Sequence, residues 1–172
     1  MKKLYLIFSM ALMLFLGASL TSCDEDDYRY SDNELREMAA TISGRWSGTT
    51  DVFTVADGNM SYKTVVSFTL TTYYGGNGIQ NDYNPDGTIA WARTFEWAVN
   101  RRGDINIIYD NSDGSRYAMT IDYDDLYLNA NTFQGVLYGR DGQEKDVFSW
   151  YANTRAAQSA PGKIKLSLSK EN

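Results

Sequence analysis

The side chains of this chain alternate between apolar and polar over long stretches, and this period of two is the feature that most constrains its fold. Along one such stretch, Tyr62, Val66 and Phe68 share one face of an extended strand. Lys63 and Ser67 share the opposite face. Successive side chains of a β-strand point to opposite sides of a sheet, whereas a helix repeats every 3.6 residues. The pattern therefore predicts strands that bury one face and expose the other.

Short turn sequences separate the alternating segments. Arg102-Gly103 and Asp141-Gly142 are typical of tight turns between neighbouring antiparallel strands. About eight strands are expected, at 45–55, 60–74, 88–100, 104–109, 116–123, 126–128, 132–140 and 144–153. The Gly-rich stretch 75–87 is expected to be a long irregular loop, with a short strand inside it as the alternative. Sequential hairpins predict an all-β antiparallel meander that closes into a barrel, with a sandwich as the alternative, because closure removes exposed sheet edges.

One short helix is predicted before the strands. Ser31 and Glu34 form a capping box, with serine at the N-cap and glutamate three residues later. Apolar residues follow at helical spacing, namely Leu35, Met38, Ala39 and Ile42. An amphipathic helix over 32–42 that ends before Gly44 is therefore expected to cover one end of the sheet structure.

The first 22 residues have the layout of a secretory signal peptide. Lys2 and Lys3 give a positive start, and an apolar run with small residues after it follows. The run is about 17 residues long, near the lower limit for a membrane-spanning helix, which makes a transmembrane helix the alternative. The chain then divides into a signal peptide at 1–22, a cysteine with an acidic spacer at 23–30, a helix plus barrel domain at 31–153, and a tail at 154–172. The tail is expected to be a linker followed by an extra strand, with a detached, disordered segment as the alternative to the strand.

The cleavage region resembles the lipobox of bacterial lipoproteins. Leu20-Thr21-Ser22-Cys23 places an apolar residue three positions before the cysteine and a small residue directly before it. The resemblance implies that Cys23 receives a diacylglyceryl group, becomes the mature N-terminus and is acylated again. Two or more acyl chains would anchor the protein stably to a membrane. An ordinary signal peptide with a cysteine near its end is the alternative.

Four acidic residues follow the cysteine, at Asp24-Glu25-Asp26-Asp27. In this position they resemble the surface-export signal of lipoproteins in the Bacteroidetes, which implies an outer-membrane protein that faces outward. In the enterobacterial scheme, an aspartate directly after the cysteine implies retention at the inner membrane instead. A third interpretation is a solvated, extended spacer without a sorting role.

The junction of the predicted helix and the first strand resembles the start of lipocalin-like barrels. Gly44-Arg45-Trp46 matches the Gly-x-Trp signature of that family, in which the tryptophan packs across the closed end of the barrel. The later order of Phe95-x-Trp97, an Ile-containing strand at 104–107 and Tyr117-x-Met119-x-Ile121 resembles small lipocalin-like lipoproteins of the Bacteroidetes. The resemblance implies a lipocalin-like barrel and says little about function, because one fold serves many functions.

Composition excludes several classes of function. The 172 residues contain 16 Lys and Arg, 22 Asp and Glu and no histidine, for a net charge of −6. A negative protein repels a phosphate backbone, so no nucleic-acid partner is expected. Without histidine, Ser-His-Asp and Cys-His nucleophile systems and histidine metal sites are unavailable. Cys23 is the only cysteine, which excludes an internal disulfide. We therefore expect neither an enzyme nor a cofactor.

Two acidic segments that resemble simple turns have a functional alternative each, a calcium site and a glycosidase. Residues 82–87 begin like a calcium loop, with oxygen ligands at positions 1, 3 and 5 and glycine at position 6. Position 12 is Arg93, which cannot be a ligand, so no metal is expected and a looser calcium site is the alternative. Asp122, Asp124 and Asp125 would suit a glycosidase only if two carboxyl groups were held about 5–10 Å apart across a cleft. Nothing in their spacing fixes that distance.

Aromatic residues make up 14% of the chain and carry the main functional expectation. Tyr73, Tyr74 and Tyr83 are expected to cluster around the Gly-rich segment. Trp91 and Arg93 share a strand face with Phe95. The candidate ligand-binding residues are Tyr73, Tyr74, Tyr83, Trp91 and Arg93. They predict a binding protein that holds an apolar small molecule or a glycan at the barrel mouth. A filled barrel that docks an envelope protein or inhibits a protease is the alternative.

Overall fold

The computed structural model describes residues 30–55, 58–111, 113–140 and 142–153. Within these ranges, nine antiparallel strands form one sheet, and pairing of the sixth strand with the eighth closes it into a barrel of eight strands. The prediction of an antiparallel meander barrel of about eight strands with one short N-terminal helix is confirmed. The predicted signal peptide, Cys23, the acidic residues and the segment after residue 153 lie outside the described residues.

The helix α1 spans Asp32–Ile42. The strands are β1 (Gly44–Thr54), β2 (Gly58–Leu70), β3 (Gly75–Tyr83), β4 (Ile89–Val99), β5 (Ile105–Asp110), β6 (Arg116–Ile121), β7 (Tyr127–Leu128), β8 (Thr132–Gly139) and β9 (Glu144–Ala152). Neighbours in sequence pair from β1 to β6, and β9 pairs with both β8 and β1. No helix in the described part of the chain is long and apolar enough to cross a membrane.

The helix closes one end of the barrel, which we call the helix end. The Ser31 hydroxyl accepts a hydrogen bond from the Glu34 backbone N–H, and the Glu34 carboxylate accepts one of 2.8 Å from the Ser31 N–H, so the capping box is formed. The four apolar residues of α1 are buried against the barrel. The Trp46 indole donates a 2.8 Å hydrogen bond to the carbonyl of Ile42. This bond satisfies one of the free carbonyls at the helix terminus and fixes α1 to β1.

Aromatic rings fill the half of the barrel interior next to the helix. The Phe68 ring lies 5.1 Å from Phe95, 5.5 Å from Trp97 and 5.7 Å from Phe133, measured between ring centroids. Two of these contacts are edge-to-face, the arrangement that aromatic quadrupoles favour. All four side chains are buried. Packing of this kind leaves the opposite half of the interior as the place for a site.

The expectation of an irregular loop over 75–87 is wrong for most of its length, and the alternative of a strand within it is confirmed, because Gly75–Tyr83 forms β3. Glycines occupy two of its inward positions, 76 and 78, because neighbouring groups already fill the space of a side chain there. A Cβ built on Gly78 would lie 2.0 Å from the Phe95 ring. A Cβ on Gly76 would lie 1.9 Å from the carbonyl oxygen of Thr69. Neighbouring side-chain and backbone atoms therefore lie so close to this strand that only glycine fits at these positions. Apolar alternation in the sequence does not reveal such a strand.

Candidate ligand site at the mouth of the barrel

Polar side chains cross the barrel interior on the side away from α1. We call that end the mouth; the β3–β4, β5–β6 and β8–β9 turns lie there. We call the crossing group the polar belt, and its members are Thr50, Thr64, Gln80, Asp82, Arg93, Tyr109 and Tyr117. The hydroxyl oxygens of Thr50 and Thr64 lie 2.7 Å apart, and the Trp150 indole donates to Thr50 over 3.1 Å. The belt therefore begins directly above the aromatic core.

Asp82 is the central acceptor of the belt, with a side chain only 2% exposed. Its Oδ1 accepts a 2.7 Å hydrogen bond from the Thr64 hydroxyl. The Gln80 amide nitrogen donates to both carboxylate oxygens, over 3.1 and 3.0 Å. The Arg93 Nη2 donates to Oδ2 over 2.7 Å and forms the ion pair. A buried carboxylate is tolerated when its oxygens are paired in this way.

Arg93 reaches inward from β4 and lies against two tyrosine rings. Its guanidinium carbon is 4.7 Å from the Tyr109 ring centroid, and its Nη1 donates to the Tyr117 hydroxyl. The two rings stack on each other with centroids 5.1 Å apart. The Tyr109 hydroxyl in turn donates to Gln80 over 2.7 Å. Burial raises the pKa of Tyr109 and raises that of Tyr117 to about 12, so both hydroxyls stay protonated donors.

Two buried polar atoms beside the belt have no hydrogen-bond partner among the described residues: Arg93 Nε and Asp146 Oδ1. Asp146 is 2% exposed, and its register partners on β1 and β8 are the apolar Val52 and Leu137. Burial, and after it the negative charge of Glu144, raises the pKa of Asp146 to about 7. Unpaired buried groups are uncommon in folded proteins, and a ligand or water is one of the explanations for them.

An open notch in the barrel wall adjoins the polar belt, because Tyr117 belongs to both. Strand β6 pairs with β8 at only three positions, Met119 to Ile121, so its first residues have a strand partner on the β5 side alone. The notch has a volume of about 470 Å³ and is lined by Arg116, Tyr117, Ala118, Gly139, Arg140 and Glu144. We call it the seam notch. Its size is within the range of small-molecule sites, about 300–1,000 Å³.

The exposed indole of Trp91 stands at the rim of the mouth. Trp91 pairs with Asp82 in the β3–β4 register, and directly opposed residues share a face of the sheet. Trp91 therefore lies on the inner face of the sheet, two positions from Arg93. It is 56% exposed. On the β5 side, the pairing with β4 ends opposite Thr94, so among the described residues no strand pairs with Trp91 there. A flat aromatic surface of this kind can stack on a ring-shaped ligand.

The candidate residues from the sequence do not all come together. Arg93 and Trp91 lie on the mouth side, and Tyr83 lies at the mouth end of β3. Tyr73 and Tyr74 lie at the helix end, where the Arg36 guanidinium is 4.4 Å and 5.9 Å from their ring centroids. The nine residues of β3 separate the two groups by about 26 Å. The expected cluster of three tyrosines is therefore absent from the described structure.

Sequence reasoning missed four residues of the mouth: Asp82, Tyr109, Tyr117 and Asp146. Each occupies an inward position of a strand whose other inward residues are mostly apolar or glycine. A polar residue in phase with an apolar face is the signal that would have found them.

The acidic alternatives have other partners in the structure. Asp82 belongs to the polar belt, whereas the Asp86 carboxylate accepts hydrogen bonds from the backbone N–H and hydroxyl of Thr88, over 2.9 and 2.7 Å. Asp125 accepts a 2.7 Å hydrogen bond from Tyr138. Among the described residues, no group of three or more acidic, cysteine or histidine side chains is placed to hold a metal ion. The loop 82–87 therefore has the hydrogen bonds of a turn.

Comparisons with known proteins give this chain neither a family nor a function. No family model and no curated protein matches the sequence. A solved de novo designed fluorescence-activating β-barrel is 17% identical with a TM-score of 0.46, covering 66% of this chain and 94% of that chain. A redesigned β-barrel is 13% identical with a TM-score of 0.43, covering 66% and 93%. Likeness at this level of identity does not transfer a ligand.

Proposed function

We propose that this chain is a lipid-anchored cell-envelope protein that binds a small, hydroxyl-rich ligand of the glycan class at the mouth of its barrel. The buried atoms Arg93 Nε and Asp146 Oδ1, which have no partner among the described residues, carry the proposal. The open notch is lined by Tyr117, the residue to which Arg93 donates a hydrogen bond. A buried donor or acceptor without a partner costs about 1–3 kcal/mol. A hydroxyl group both donates and accepts. A ligand with neighbouring hydroxyls can therefore serve the nitrogen and the oxygen together.

A glycan suits the mouth better than an apolar molecule does. Rings fill the apolar half of the interior, whereas the mouth presents a carboxyl group, a guanidinium and tyrosines. The exposed Trp91 indole at the rim supplies a face on which a sugar ring can stack. Apolar ligands would leave the two unpaired polar atoms without partners.

Lipid anchoring and outer-membrane location rest on the sequence before the helix. The spacer from Asp24 to Tyr30 has seven residues and reaches at most about 25 Å, which would hold the barrel close to the membrane. A Cys23→Ala variant is expected to lose acyl labelling and to leave the membrane fraction. A Ser22→Ala variant keeps a small residue before the cysteine and should retain both. Continued acylation of Cys23→Ala would overturn the anchoring proposal.

Surface exposure needs a separate test on intact cells. Added protease should digest the wild-type protein, and replacement of the acidic residues 24–27 by alanine should protect it. Protection of the wild-type protein, with digestion only after the outer membrane is opened, would place it on the inner side instead.

Tryptophan quenching tests ligand binding, because the four tryptophans differ sharply in exposure. Trp91 is 56% exposed, whereas the other three are at most 3% exposed. Acrylamide should therefore quench Trp91 selectively, and a bound saccharide should protect it. The probes are cellotriose, maltotriose, triacetylchitotriose and a soluble envelope-glycan extract, added to the full-length acylated protein in detergent.

A saturable protection by at least one probe is the expected result. Trp91→Phe should remove the quenchable signal. Arg93→Lys should weaken binding at least tenfold, because a lysine ammonium keeps the positive charge but lacks the Nε–H donor of the planar guanidinium. Tyr73→Phe, at the helix end, is the matched control and should leave binding unchanged. Folded protein that no probe protects would overturn glycan binding.

A second candidate is an accessory protein that docks an envelope partner. Ile79 on the outer face of β3 is 54% exposed, and Tyr151 on the outer face of β9 is 51% exposed. Photocrosslinking residues placed at these two positions in intact cells should trap a single protein if the outer wall is the working surface. Crosslinks to one protein together with no saccharide protection of Trp91 would favour docking.

A further inference from the structure

We infer that Gln80 and Tyr109 are positioning residues of the candidate site, which hold the Arg93 guanidinium so that its Nε–H has a fixed direction before the ligand binds. This inference rests on the proposed function and names residues that set affinity at the same site by acting through Arg93. Its basis is a closed ring of contacts inside the polar belt.

The partner that Arg93 bonds to draws its guanidinium toward the mouth. Gln80 is the residue directly opposite Arg93 in the β3–β4 register. Asp82 is the next inward residue of β3 and lies two positions nearer the mouth. The Arg93 Nη2 forms its ion pair with Asp82, over 2.7 Å, which is the diagonal neighbour. The side chain of Arg93 therefore leans along the barrel toward the mouth.

Gln80 fixes the carboxylate that holds Arg93. Its amide nitrogen donates to both oxygens of Asp82, over 3.1 and 3.0 Å. An ionised carboxylate only accepts hydrogen bonds, so the amide must turn its nitrogen toward Asp82 and its oxygen away from it. Because the amide bonds to both oxygens, it restrains rotation of the carboxylate. Oδ2 of Asp82 is thereby kept facing Arg93.

Tyr109 holds the guanidinium from two directions. Its hydroxyl donates a 2.7 Å hydrogen bond to Oε1 of Gln80, which keeps the amide from turning over. Burial raises the pKa of this hydroxyl, so it remains a donor. The ring of Tyr109 lies 4.7 Å from the guanidinium carbon of Arg93, and a cation is attracted to the face of an aromatic ring. The contacts therefore form a ring that begins and ends at Tyr109, with Arg93 as a member.

The contacts of Arg93 leave its Nε for the ligand. Nη2 bonds to Asp82, and Nη1 donates to the Tyr117 hydroxyl. Nε has no partner among the described residues. A guanidinium is planar, so fixing both terminal nitrogens also fixes the direction of the Nε–H. An acceptor oxygen of the ligand then meets a donor that is already oriented, which lowers the entropy lost on binding.

NMR of the arginine side chains, on the full-length acylated protein in detergent, measures whether the guanidinium is held. The Arg93 signal is assigned by its loss in Arg93→Lys. Rotation about the Nε–Cζ bond requires the charge-assisted hydrogen bonds to break, so it should be slow in the wild type. Its rate should rise at least tenfold in Gln80→Met. It should rise at least threefold in Tyr109→Phe, which keeps the ring and loses the hydroxyl.

Saccharide affinity is the second measurement, from protection of Trp91 against acrylamide with the same probes. Gln80→Met and Tyr109→Phe should each weaken binding at least fivefold. Tyr138→Phe is the matched control for both measurements and should change neither. The Tyr138 hydroxyl also donates to a side chain, that of Asp125 over 2.7 Å, but it lies on the outer face of β8.

The two measurements separate the possible failures. Rotation as slow in both folded variants as in the wild type would overturn the positioning role. Faster rotation with unchanged saccharide affinity would overturn the link between the fixed Nε–H and the ligand. If no saccharide protects Trp91 in the wild type, the proposed function itself fails, and the rotation rates still decide whether Gln80 and Tyr109 hold Arg93. Thermal unfolding confirms that each variant is folded, and the conservative Tyr109→Phe remains testable if Gln80→Met does not fold.

Discussion

The indole nitrogen of Trp150 donates a 3.1 Å hydrogen bond to the hydroxyl of Thr50, which lies 100 positions earlier in the chain. The bond crosses the β1–β9 pairing, where the beginning and the end of the barrel meet. From Thr50 the polar belt continues through Thr64 and Asp82 to Arg93. Side-chain hydrogen bonds thus join strands that the backbone ladders already pair, and they do so inside the barrel.

Loss of the Thr50 hydroxyl should destabilise the barrel. Thr50→Val keeps the shape but leaves the Trp150 indole N–H without its acceptor in a buried site. The free energy of unfolding is expected to fall by about 1–3 kcal/mol, measured by urea denaturation. Thr49→Val, at the neighbouring exposed position, is the control and should change stability by less than about 0.5 kcal/mol. Equal effects of the two substitutions would contradict a role for the belt in stability.

Breaking the Arg93–Asp82 pair should cost more than removing it. Asp82→Asn leaves a largely buried guanidinium without its counter-charge and should lower the free energy of unfolding by about 3 kcal/mol. The double variant Asp82→Asn with Arg93→Met removes both charges. It should regain part of that loss, because no uncompensated charge remains. A double variant with a free energy of unfolding no higher than that of Asp82→Asn alone would contradict this account.

Asp146 should make the folded state less stable as the pH rises. Its pKa of about 7 in the folded protein exceeds its ordinary value of 3.8, so the unfolded chain loses its proton first. The free energy of unfolding should therefore fall between about pH 4 and pH 7 and level off above pH 7. Below pH 4 both states are protonated and the residue has no effect.

Asp146→Asn should remove this dependence. At pH 8 the variant is expected to be more stable than the wild type by about 2–4 kcal/mol, and near pH 4 the two should be alike. Urea denaturation at several pH values measures the difference. A constant difference between variant and wild type from pH 4 to pH 8 would show that Asp146 ionises normally.

A methyl group at Gly78 should displace the centre of the core. The added Cβ would stand 2.0 Å from the Phe95 ring, which itself packs on Phe68. Gly78→Ala should therefore lower the free energy of unfolding by about 1–3 kcal/mol through overpacking. At Gly135 the nearest atoms are 3.1 Å away, so Gly135→Ala should cost less. The reverse order in thermal denaturation would contradict close packing at Gly78.

Local patterns in the sequence predicted much of the fold. The helix bounds follow from the capping box at Ser31 and the spacing of its apolar residues, and the structure has α1 at Asp32–Ile42 as expected. The alternation in 60–74 correctly placed Val66 and Phe68 inside the barrel, although β2 ends at Leu70. These signals are local, because side-chain direction in a helix or strand depends only on the period of the backbone.

The candidate site was predictable only in part. Arg93 and Trp91 were singled out from their strand face, but the sequence did not place Asp82 or Asp146 beside them. Asp146 follows Arg93 by more than fifty residues and meets the mouth only because β9 closes on β1. Tyr73 and Tyr83 are near in sequence yet lie at opposite ends of β3, because a run expected to be a loop is a strand.

By itself, the sequence determined the period of the strands, the helix and its cap, and the residue types that exclude histidine chemistry. Only the tertiary structure decided which polar residues meet inside the barrel and which two polar atoms remain unpaired there. The physical reason is that barrel closure sets strand register over long separations, whereas a local pattern fixes only the face on which each side chain lies.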